Sequence, residues 1–135
     1  MIPPFDEHGN LPPGIHPATP DEIEARFGLA PEVRRVQMES LRWLLDLARR
    51  AGVERIIING SFVTDAHEPN DLDCVLLIRP GCVRDRTAAE ELVQGLPFLD
   101  IDLAEPEGFD EMVREVFSAD RHWNPKGMIE VIQWT

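Results

Sequence analysis

Behind Pro31 the apolar positions recur at helical spacing, and further on they change to extended runs. Val33, Val36, Leu41, Leu44, Leu45 and Ala48 line one face of a long helix, with Arg49 and Arg50 in its last turn and Gly52 as terminator. The β-branched run Ile56, Ile57, Ile58 then predicts a strand that ends at Asn59-Gly60-Ser61. A polar segment with Pro69-Asn70 follows, and a second apolar run over 74–78 predicts another strand. Residues 84–94 read as a helix with Ala88, Ala89, Leu92 and Val93 inward, closed by Gly95 and Pro97. Residues 98–103 read as a short strand. Pro106 opens a helix whose Phe109, Met112, Val113, Val116 and Phe117 form one stripe, and a final strand is expected over 127–134.

The first 18 residues obey different rules. Pro3, Pro4, Pro12, Pro13, Pro17, Gly9 and Gly14 exclude helix and central strand there, so an extended arm is expected, anchored by Ile2, Phe5, Leu11 and Ile15. Thr19-Pro20-Asp21-Glu22 then has the form of a capping box, which starts a short helix ending near Gly28. The order that results predicts a single α/β (α+β) domain over 1–135, a small mixed sheet with helices packed on it. Within it 1–18 is the arm, 31–103 the core and 104–135 a closing helix and strand.

Composition narrows the classes of function. With 43% hydrophobic and 28% charged residues the chain has globular values. Thirteen basic against twenty-five acidic residues give a net charge of −12, which opposes non-specific nucleic-acid binding and favours small-molecule, protein or cationic partners. No apolar run reaches the roughly 20 residues of a membrane span, and no signal-like start is seen, so a cytoplasmic protein is expected. Cys74 and Cys82 lack zinc-like spacing and read as reduced thiols. Trp43 reads as a core or rim aromatic, and nothing assigns a role to His8 or His16.

The chemistry concentrates between the first two strands of the core. In an extended chain Asp71 and Asp73 point the same way, roughly 6 to 7 Å apart. Two carboxylates on one face repel unless a cation sits between them, and hard oxygens suit Mg²⁺, which completes its shell with water and substrate phosphates. Gly60-Ser61 supplies an anion-friendly turn of backbone N–H groups and a small hydroxyl. Asp65, His67 and Glu68 read as solvated loop residues. Arg121, His122 and Lys126, in the loop before the last strand, are the cations within reach if that loop folds back.

Gly60-Ser61, nine intervening residues, and Asp71-x-Asp73 between two strands resemble the signature of the DNA polymerase β-type nucleotidyltransferase superfamily, especially its minimal members. The helix, two strands, helix and third strand over 31–103 are similar to that family's core. The resemblance implies two Mg²⁺ ions held by Asp71, Asp73 and a third carboxylate on the strand 98–103. Asp100 and Asp102 share a face there, and the run Asp102-Leu103-Ala104-Glu105-Pro106-Glu107 resembles the family's pattern, which assigns the role to Asp102. It further implies that Gly60 and Ser61 bind the β and γ phosphates of a nucleoside triphosphate, with Arg121 and Lys126 as further nucleotide contacts. Typical members carry an arginine and a second glycine after Gly-Ser, where this chain has Phe62-Val63-Thr64.

The implied function is transfer of a nucleoside monophosphate from the triphosphate to a protein or RNA acceptor, within a toxin-antitoxin pair as one setting. The alternatives are a catalytically silent nucleotide- or protein-binding module, such as an antitoxin-like subunit, and transfer to a cationic antibiotic. A protein partner or a homodimer accompanies either of the first two readings. The opening I-P-P-F-D-x-x-G-x-L-P-P-G-x-H also resembles that of a family of small, uncharacterised bacterial proteins.

Overall fold

The protein, in a computed structural model, is described over residues 2–116, 119 and 122–135, with Glu115 and Val116 described in backbone only. A five-stranded mixed sheet runs through it. Its strands are β1 (Gly14–Ala18), β2 (Arg55–Asn59), β3 (Leu72–Leu77), β4 (Leu99–Ala104) and β5 (Gly127–Val131), in the spatial order β1-β5-β2-β3-β4. The helices are α1 (Pro20–Phe27), α2 (Glu32–Ala51), α3 (Arg86–Gln94) and α4 (Pro106–Glu111). Strands β2 and β3 pair antiparallel across the loop that carries the candidate chemistry, while β3 and β4 pair parallel with α3 as crossover. The mixed α+β class expected from the residue pattern is what the chain adopts.

The two sheet faces are covered unequally. Ile56, Ile58, Leu72, Cys74, Leu76 and Ile129 pack beneath α1, α2 and α3 in the main core, together with Ile23, Phe27, Leu41, Leu44, Ala88 and Leu92. On the other face Ile57, Val75, Leu77 and Met128 cluster with Phe109 and Val113, and Met112 and Ala104 pack against them. Alternation puts Asp73 on that second face with Val75 and Leu77, and register adds Asn59, Asp100 and Asp102. Asp100 and Asp102 are exposed on this face and Asp73 is half-buried.

Local chemistry accounts for most boundaries. Thr19 caps α1 as a capping box, its hydroxyl accepting from Glu22 N–H at 3.2 Å while Glu22 accepts from Thr19 N–H at 3.0 Å. Asp85 caps α3 by accepting from the Thr87 and Ala88 amides. Gly52 ends α2 in the left-handed conformation. Arg55 forms a two-pronged ion pair with Glu130 on the neighbouring strand β5, at 2.8 and 2.7 Å, and lies over the Phe109 ring.

Several details depart from the residue pattern. The arm does not stay outside the sheet: its last residues form β1, an edge strand parallel to β5, where Pro17 does not interrupt a central ladder. Leu11 is buried and Ile2 and Phe5 pack on the core, but Ile15 is 40% exposed, on the outer face of that edge strand. Val93 is 73% exposed, because α3 turns only Ala88 and Leu92 fully inward. On α2 the buried stripe begins with Arg34 and Gln37, while Val33 and Val36 are only half-buried.

Phe98 lies before β4 at φ 65°, and β5 stops at Val131 with Trp134 packed beyond it. The helix from Pro106 keeps α geometry for six residues and widens to a π-helical stretch over Met112–Val116. Phe109 and Val113 are buried as expected; the Val116 side chain and Phe117 lie outside the described residues. No helix among the described residues is long and apolar enough to cross a membrane.

Candidate active site

A cleft of about 460 Å³ opens where β2 ends and β3 begins, lined by Asn10, Gly60, Ser61, Thr64, Asn70, Asp71, Asp73, His122 and Lys126. Five of the residues singled out from the sequence therefore share one cavity: Gly60, Ser61, Asp71, Asp73 and Lys126. His122 joins them. Arg121 lies outside the described residues.

Gly60 stands at φ +81°, a conformation that side chains disfavour, and an added Cβ there would collide with Asp73 Oδ2. The glycine is thus required twice, by the turn and by the carboxylate behind it. Ser61 opens a tight turn over Ser61–Val63. That turn is closed by Thr64, whose N–H and hydroxyl both donate to the Ser61 carbonyl, at 3.2 and 2.7 Å.

Helix α2 holds both segments of the cleft. Arg34, only 5% exposed, donates to the carbonyls of Phe27 at 3.2 Å, Phe62 at 2.7 Å, Thr64 at 2.9 Å and Ala66. One turn on, the fully buried Gln37 donates to the carbonyls of Pro69 at 2.9 Å and Asn70 at 3.2 Å. A buried guanidinium on main-chain acceptors in place of a carboxylate fixes backbone, because each donor is directed at one oxygen. The sequence reading passed over both residues. Their signal was present: residues 34, 37, 38, 41, 44, 45 and 48 form a cleaner helical stripe than one begun at 33.

The carboxylates are arranged by register. Asp73 faces Asn59 across the antiparallel pair and Asp100 across the parallel one, whereas Asp102 faces Val75. Asp102 shares the Asp73 face but lies one alternate position farther along, so Asp100, not Asp102, is the cross-strand neighbour of Asp73. The motif-based preference for Asp102 gives way on this point. Burial, then the negative charge of Asp100, pushes the Asp73 carboxyl up to about 6; Asp71 adds to the rise and Lys126 opposes it. Asn59 is 3% exposed, and its Oδ1 finds no hydrogen-bond partner among the described residues.

These groups fit a hard divalent cation. Crowded carboxylates and an unmatched carboxamide oxygen are relieved by positive charge, and every donor is oxygen. Among the described residues no three His, Cys, Asp or Glu side chains already converge as a metal cage. That donor set suits Mg²⁺, which uses one or two protein carboxylates and takes its remaining ligands from water and phosphate.

The other candidates separate cleanly. Asp65, His67 and Glu68 are exposed in the loop, and Trp43 stands on the rim of α2, 49% exposed. Cys74 is buried in β3 with its thiol pushed up by that burial, and Cys82 is exposed; both are free thiols. His16 is tied to the Pro12 carbonyl at 2.7 Å.

Fold and cleft together define a small α+β domain with an acidic pocket beside a glycine turn, at the end of β2 and the start of β3. The chain belongs to a family of unknown function (DUF6932), which it matches over residues 3–132. No curated protein and no solved structure matches it.

Proposed function

We propose that the protein is a Mg²⁺-dependent nucleotidyltransferase, which moves a nucleoside monophosphate from a nucleoside triphosphate onto a protein or RNA acceptor. The observation that carries this reading is the convergence of Gly60, Ser61, Asp71, Asp73 and Lys126 on one cleft, from three separate pieces of chain. The resemblance to polymerase β-type enzymes supplies the reaction, in which an acceptor oxygen attacks the α-phosphorus and pyrophosphate leaves in line.

Each residue has a task in that scheme. The Gly60 and Ser61 turn offers amides and a hydroxyl to the β and γ phosphates. Lys126, in the same cleft and close enough to oppose the rise of the Asp73 carboxyl, supplies positive charge to the triphosphate. Asp71, Asp73 and Asp100 would hold Mg²⁺, which supplies neutralisation of charge at the attacking and leaving oxygens. A net charge of −12 makes a protein acceptor, or a protein partner from a toxin-antitoxin pair, the better match than a nucleic-acid end.

A second reading is binding without turnover, as in an antitoxin-like subunit. It is favoured by Phe62, which is fully buried against Arg34 and stands after Gly-Ser, where typical minimal members carry an arginine. One experiment separates the two. The protein is incubated with each α-labelled nucleoside triphosphate, Mg²⁺ and cell extract, beside an Asp71→Asn, Asp73→Asn double variant. Label transfer that vanishes in the variant supports catalysis, and binding without transfer supports the module. Failure to bind any triphosphate would falsify the site.

A further inference from the structure

One wall of the cleft comes from the N-terminal arm, outside the 31–103 segment that carries the resemblance. Residues 6–10 form a compact turn: Asp6 Oδ1 accepts from the amides of His8 at 2.8 Å and Asn10 at 3.1 Å, and Asp6 N–H donates to the Asn10 carbonyl at 2.7 Å. The turn is clamped on both sides of the cleft. Asp65 N–H donates to the Gly9 carbonyl at 3.0 Å, which ties it to the Gly60-Ser61 loop. Gly127 N–H donates to the Leu11 carbonyl at 2.8 Å, which ties it to the strand that follows Lys126.

Two glycines make the approach possible. A Cβ on Gly9 would collide with the Asp65 carboxylate, and one on Gly127 with the Pro12 carbonyl. Leu11, with no exposed surface, seats the arm in the core. Both main-chain polar groups of Asn10 are taken by Asp6, so what this 4% exposed residue brings to the cleft wall is its carboxamide. A carboxamide offers two donors and an acceptor without charge. In a pocket crowded with carboxylates its NH2 can donate to an anionic ligand without adding negative charge.

We infer that the arm is part of the substrate site and that Asn10 hydrogen-bonds the bound nucleoside triphosphate. The inference rests on the reading of the cleft as a nucleotide site and adds to it a specificity-determining residue from outside the resemblance. The arm then serves as a built-in wall, in the place where larger enzymes of this kind use a second domain.

The test is titration calorimetry of the full chain with ATP, GTP, CTP and UTP in the presence of Mg²⁺. It compares wild type with Asn10→Ala and the isosteric Asn10→Asp, with thermal midpoints measured alongside. Loss of one ordinary hydrogen bond predicts about tenfold weaker binding for Asn10→Ala. Asn10→Asp, which adds a carboxylate facing the phosphates, is weaker still and regains part of the loss at high salt. A merely structural Asn10 shifts the midpoints and leaves the affinity of the folded protein unchanged in both variants; that result overturns the inference while the nucleotide site stands. A wild-type protein that binds none of the four triphosphates removes the nucleotide site and this inference together. If Asn10→Ala does not fold, the shape-preserving Asn10→Asp decides alone.

Discussion

Asp73 and Asp100 stand directly opposite each other across the parallel β3–β4 pair, Asp73 half-buried and Asp100 exposed. Burial first, and then the negative charge of Asp100, shift the Asp73 carboxyl upward and disfavour its charged form. Stability and chemistry therefore pull in opposite directions at this position.

The first prediction follows from the sign of that shift. The Asp73 carboxyl is raised to about 6, above its unfolded value near 3.9, so its charged form is disfavoured in the fold. The penalty is fully present above pH 6 and disappears as pH falls towards 4. Asp73→Asn therefore raises the thermal midpoint at pH 7.5, and the gain over wild type shrinks to nothing near pH 4, as scanning calorimetry at several pH values shows. Label transfer is lost in the same variant. A midpoint lowered at pH 7.5 and unchanged with pH contradicts the assignment.

The register predicts which acidic residue of β4 matters. Asp100→Asn lowers transfer by on the order of a hundredfold or more, since even residues one step removed from a bound metal cost tenfold to a hundredfold. Asp102→Asn, opposite Val75, has a much smaller effect. Steady-state rates with both variants check this, and the reverse order restores Asp102 as the third carboxylate.

Arg34 predicts a structural loss that propagates to the cleft. Replacing it with methionine keeps the packing volume but strands four carbonyls, which destabilises the protein by about 3 kcal/mol. Arg34→Lys recovers little, because one ammonium cannot reach oxygens set around a planar fork. Denaturant unfolding of both variants provides the comparison; a lysine variant as stable as wild type removes the special role of the guanidinium.

At Gly60 a single methyl group is enough. Gly60→Ala meets both an unfavourable φ of +81° and the Asp73 carboxylate, so it costs about 1–3 kcal/mol and displaces Asp73. Triphosphate binding by calorimetry falls with it. Retained affinity in a folded Gly60→Ala protein shows that the turn does not receive phosphate.

The residues explain how much of this was legible beforehand. Helices and strands from 19 onward announce themselves because apolar spacing, caps and breakers agree: Ile56–Ile58 against Asn59-Gly60, or Thr19 with Glu22. The pairing of Asp73 with Asp100 was not legible, because both Asp100 and Asp102 satisfy the alternation and only the register of a parallel crossover chooses between them. Arg34 and Gln37 were missed because polar residues on a helix are read as solvent-facing unless the neighbouring stripe is traced through them. Asn10 carried no periodic signal at all; its place depends on close approaches allowed by Gly9 and Gly127, contacts between segments far apart in sequence.

The guanidinium of Arg34 has a dynamic consequence. It joins the end of α1 to residues 62–66, so the turn after Gly60 is tied to the packing of the helices. Amide protons along that turn should exchange with deuterium at the slow pace of whole-molecule unfolding rather than at the quick pace of a surface loop. A ligand would then meet a rigid receptor, ready before it arrives.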